Sequence, residues 1–125
     1  MTIFAVAAGG ALGAVARYLL AVRLYGQLGV GFPWGTLGVN VLGCALLGVV
    51  LALVEERGAF TPNVRTLITV GFLGGMTTFS TFIYENWLYM RDGDPLHLAI
   101  YSGLSLIVSF AAFSAAHAGI VALEA

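Results

Sequence analysis

A chain of 125 residues that is 60% hydrophobic and 9% charged is not an ordinary soluble domain, in which about a quarter of residues carry charge. There is no lysine, and five arginines stand against six acids, which excludes the broad basic surface of a nucleic-acid-binding protein. With a mean hydropathy of +0.99 and about 20 apolar residues needed per crossing, the chain reads as a single all-α integral membrane domain of four spanning helices.

The first helix is expected over about residues 3–25. The first positive residue is Arg17, so the stretch lacks the basic start of a cleaved signal peptide and reads as a retained span. Gly9, Gly10, Gly13 and Ala14 are small residues spaced three and four apart, the pattern of close backbone contact with another helix. Arg17 follows one turn after Gly13. An arginine inside a span costs roughly 2.5–3.5 kcal/mol at the centre, so it either faces a water-filled vestibule, the reading preferred here, or snorkels to the headgroups.

Residues 27–32 form a glycine-containing turn, and Pro33 and Trp34 suit a helix start at the membrane interface. The second helix is expected over about residues 33–54. Thr36 and Asn40 are its strongly polar members, four apart on one face that Gly43 continues. An amide with two donors cannot be left against lipid; Asn40 either contacts an ion or bonds another helix. Cys44, the only cysteine, has no internal disulfide partner and reads as a small packing residue.

The third helix is expected over about residues 62–90, interrupted near Gly74–Thr77, where paired glycines give way to hydroxyls alternating with phenylalanines. Beyond the break Phe79, Phe82 and Asn86 share one helical face, Thr77, Thr81 and Glu85 share another, and Ser80 lies between. So polar a half-helix is expected inside protein. Carbonyls freed at the break suit a desolvated cation such as Na⁺, although the sequence alone does not separate this from an empty kink. The fourth helix, about residues 96–123, carries His97, Tyr101, Ser105 and Ser109 at intervals of four, a slanted polar stripe. His117 is expected at the interface.

Four spans put both termini and the 55–65 loop on one side. Arg57 and Arg65 flank that side, and Arg23 and Arg91 the other. The positive-inside rule therefore gives no orientation, and two oppositely inserted copies are expected to pair as an antiparallel homodimer. The candidate lining combines amide, hydroxyls and phenyl rings. Ring edges are positive, and many weak donors in series can solvate an anion without trapping it.

Gly9–Tyr18, Gly35–Gly43 and Gly71–Phe82 resemble, in order, the signatures of the Fluc (CrcB) fluoride channels. The likeness implies a dual-topology homodimer with two side-by-side fluoride pathways, passive export of toxic fluoride, and a multi-pass position in a microbial plasma membrane. By resemblance Phe79 and Phe82 supply ring-edge contacts, and Asn40 is a nearby anion donor. Ser80, Thr81, Tyr101, Ser105 and Ser109 form a polar track, and Arg17 is a vestibule arginine. Gly74 and Thr77 match positions whose backbone carbonyls hold a structural Na⁺ at the dimer centre. Glu85 and Thr36 receive no role. Two other readings stand beside it: a packing subunit without transport, and a proton-coupled exporter similar to the small multidrug resistance proteins, whose carboxylate commonly lies in the first helix. A nucleophilic triad, CxxC, HExxH and GxGxxG are all absent, so no enzyme is expected.

Overall fold

The computed structural model describes residues 1–125, all helices and turns. Helix α1 spans Thr2–Leu28 and α2 spans Trp34–Arg57. The third crossing, Pro62–Arg91, is assembled from pieces: α3 (Pro62–Thr66), a π-helical stretch (Leu67–Leu73), α4 (Gly74–Met76) and α5 (Phe79–Arg91). Helix α6 spans Pro95–Glu124. Four helices are long and apolar enough to cross a membrane.

The helix ends follow local chemistry. Gly58 closes α2 in the left-handed region at φ 58°, where a side chain would strain the backbone. The Thr61 hydroxyl accepts the Val64 N–H ahead of Pro62, satisfying an orphan donor at the start of the third crossing. Asp94 caps α6 through the His97 N–H at 3.0 Å and meets the His97 ring at 2.7 Å. The backbone N–H bond, with the ring beside it, holds the Asp94 carboxyl below its usual range. Helix α2 runs three residues past its expected end, and α6 one. There Arg57 donates to Glu124 at 2.8 and 2.5 Å, and His117 meets Glu55 at 2.9 Å, so the two last turns tie together.

Helix α2 is the hub. Its small buried positions Gly35, Gly43, Gly48 and Ala52 let neighbours approach closely, and α6 packs along it. A methyl group at Gly48 would overlap the Phe113 carbonyl. Helix α1 packs on the π-helical stretch and α4 as well as on α2. At Gly13 an added methyl would run into the Phe72 carbonyl, and one at Gly75 would lie 2.7 Å from the Gly10 carbonyl oxygen. This is backbone-to-backbone packing of the small-residue kind.

Past the break α5 leaves α1 and packs on α6 and α2. The interruption lets one crossing serve two neighbourhoods: a glycine-lined seam against α1, then a polar half-helix beside α6.

Candidate functional site

The break falls at Thr77–Thr78, one step later than the glycines suggest. Gly74 is still helical (φ −63°, ψ −36°), whereas Thr77 (ψ 157°) and Thr78 (φ −148°, ψ 120°) are extended. Asn40 fixes this geometry. Its Oδ1 accepts the Thr78 N–H at 2.8 Å and its Nδ2 donates to the Thr78 carbonyl at 2.9 Å. One side chain thus pairs both backbone groups of Thr78, as a neighbouring strand would. The amide keeps a second N–H that this pairing does not use.

The rearrangement changes the carbonyls that precede it. In a continuous helix the Thr78 N–H would serve the Gly74 carbonyl, yet it goes to Asn40. The Thr81 N–H likewise turns to the Thr78 hydroxyl at 3.3 Å, and no hydrogen bond within the chain reaches the Thr77 carbonyl. Gly74 is exposed and lines the same cavity as Thr77. These two oxygens are hard, neutral donors of the type that suits Na⁺.

Above the break, Glu85 gathers hydroxyls from three helices. Thr36 of α2 donates to Oε1 at 2.7 Å, Tyr25 of α1 lies 3.5 Å from the same oxygen, and Tyr101 of α6 donates to Oε2 at 2.5 Å. Tyr101 is fully buried. No spacing along the chain joins these residues, because their meeting depends on inter-helix register. The available signal was generic: an acid inside a span requires partners.

Phe82 is 9% exposed and packs against Tyr101 at a centroid distance of 5.1 Å. Phe79, 5.7 Å from Phe82, is 72% exposed. Both rings line an open cavity of about 350 Å³ together with Asn40, Ser105 and Ser109. The Ser105 hydroxyl oxygen is buried and has no partner within the chain. A second cavity of about 300 Å³ lies between Asn40, Gly74, Thr77 and Phe79. A third, of about 440 Å³, is lined by Arg17, Thr36, Thr81 and Glu85, so Arg17 shares a cavity with the Glu85 cluster.

Within one chain Ser80 and Thr81 are exposed along with Phe79. The polar half-helix is therefore only half covered within one chain, with Phe82 and Asn86 on its buried face, which differs from its expected full enclosure. The cause is geometric: α5 touches α6 and α2 on one side only. Asn86 bonds the Phe82 carbonyl at 2.9 Å and accepts from Ser102 at 2.8 Å. His97 and His117 lie outside this arrangement, held by Asp94 and Glu55.

The sites lie within a chain that matches known proteins nearly end to end. The family described as "CrcB-like protein, Camphor Resistance (CrcB)" matches residues 4–119. The protein of Hahella chejuensis named "Fluoride-specific ion channel FluC" is 48% identical over 110 residues, covering 88% of this chain and 87% of the relative. Its namesake in Geobacter sulfurreducens is 43% identical over 119 residues, covering 92% and 96%. That of Aquifex aeolicus is 41% identical over 100 residues, covering 80% and 81%. With a family match across nearly its whole length and relatives this similar, the chain belongs to the CrcB family.

Proposed function

We propose that the protein is a passive, fluoride-selective channel of the cell membrane, built from two oppositely inserted copies with two pathways per pair. The observation that carries this reading is the half-covered cavity of Asn40, Phe79, Phe82, Ser105 and Ser109. It offers an amide hydrogen, ring edges and hydroxyls, and no basic residue lines it. Neutral donors of this kind offset the desolvation of a small anion without trapping it. A lone chain leaves Phe79, Ser80 and Thr81 uncovered; a second copy against that face would complete the wall. The relatives' names supply the identity of the ion.

In this reading Arg17 raises anion concentration at the mouth. Fluoride then passes Thr81, Ser80, the two rings and Asn40, and the hydroxyls of Ser105 and Ser109, while Tyr101, its hydroxyl given to Glu85, backs Phe82. The Gly74 and Thr77 carbonyls of each copy hold Na⁺ at the centre of the pair, where the cation keeps four carbonyl oxygens satisfied. Replacing Na⁺ by a larger cation should weaken the assembly; equal stability in both would remove that site.

The deciding experiment is fluoride-electrode efflux from proteoliposomes, with chloride as the control anion. Rapid fluoride release without chloride release is expected, and Phe82→Ile should slow it at least about tenfold by removing a ring edge. Intact fluoride gradients would sink the reading. Glu85 favours a second one, since a carboxylate inside a span is the working group of a proton-coupled exporter. That alternative requires substrate-driven proton movement across the same vesicles.

A further inference from the structure

The two cavities beside the break have three residues in common: Asn40, Phe79 and Cys44. The first two already belong to the proposed pathway. Cys44 lies one turn beyond Asn40 on the same face of α2, is a free thiol, and is part-exposed rather than packed away. Ser105, whose hydroxyl oxygen is buried and has no partner within the chain, also lines the larger of these cavities.

We propose that Cys44 is a wall residue of the throat between these cavities and helps set its width, an assignment that rests on the channel reading above. The sequence alone suggests a packing residue. Within one chain, however, Cys44 lines both cavities beside the residue that braces the break and is not enclosed. Its thiol is small, polarizable and a weak donor, so it adds little hold on an anion while occupying the place where bulk would close the passage.

The test adds bulk reversibly. Methyl methanethiosulfonate converts a thiol to a methyl disulfide: the Cys44 thiolate attacks the sulfenyl sulfur, a sulfur–sulfur bond forms, methanesulfinate leaves, and the thiol proton passes to buffer. Because the chain has a single cysteine, intact mass reports complete modification. Fully modified protein in liposomes should lose fluoride efflux at least about tenfold, as expected for a constricted pore, and dithiothreitol should restore it. Cys44→Ser removes the thiol, so whatever efflux it shows should be the same before and after the reagent. Cys44→Met places comparable bulk permanently and should conduct at least about tenfold less while the assembly elutes unchanged; it also decides the matter if the reagent fails to label. Unchanged efflux in the modified protein or in Cys44→Met overturns the assignment. Unmodified protein that passes no fluoride overturns the channel reading instead, so the two failures are distinct.

Discussion

Asn40 has a structural role that is independent of any ion. Its amide holds both backbone groups of Thr78, so the broken helix depends on the carbonyl oxygen and the NH₂ being arranged in one direction. Asn40→Asp keeps the acceptor and deletes the donor, leaving the Thr78 carbonyl unpaired at a cost of about 1–3 kcal/mol. It also brings a carboxyl to the cavity of Phe79 and Phe82. Both thermal stability in detergent and fluoride efflux should fall; a variant with unchanged melting temperature would show that the brace is dispensable. The sequence marked Asn40 as a polar group that had to find a partner, because amide chemistry in a span is restrictive. It left that partner open between an ion and another helix, and the direct bonds are to Thr78. Glu85 was less legible still, since its three hydroxyl neighbours come from α1, α2 and α6 and no single stretch contains the cluster.

At the scale of elements, the four crossings follow from runs of apolar residues, and the α1 seam from the spacing of Gly9 and Gly13. Backbone contact at Gly13 is tight enough that a single methyl group would overlap the Phe72 carbonyl. Backbone cannot swing aside as a side chain can, so Gly13→Ala should destabilise the fold by about 1–3 kcal/mol, the usual range for overpacking. Gly103→Ala is the matched control, because nothing lies within 4 Å of a methyl group there. Equal melting temperatures for the two variants would contradict the seam. The interruption of the third crossing was legible as an event but displaced in position. Glycines permit a break, whereas its location here is set by Asn40 pairing with Thr78, 38 residues further along the chain. The π-helical stretch at Leu67–Leu73 had no local signal either. It is a register adjustment within a crossing whose two halves have different neighbours, and such adjustments recur at functional sites.

For the whole molecule, the distribution of charge decides how copies stand in the membrane. Arg57 and Arg65 flank the side of the termini, and Arg23 and Arg91 the other; Arg57 is paired with Glu124 and Arg91 with Asp92. No side has an excess of arginines to hold it in the cytoplasm, so a small added bias should lock the orientation. Val30→Arg with Gly31→Arg places two charges in the exposed turn between α1 and α2 and should keep that turn cytoplasmic. Glu56→Arg with Asn63→Arg charges exposed positions on the opposite side and should lock the inverse orientation. If the uncovered face of α5 is completed by an inverted twin, each locked variant expressed alone should lose fluoride efflux at least about tenfold, because every copy then points the same way. Expressing the two together should recover it. Full efflux from either variant alone would mean that the conducting unit needs no opposed partner, and the exposed Phe79, Ser80 and Thr81 would then require a different covering.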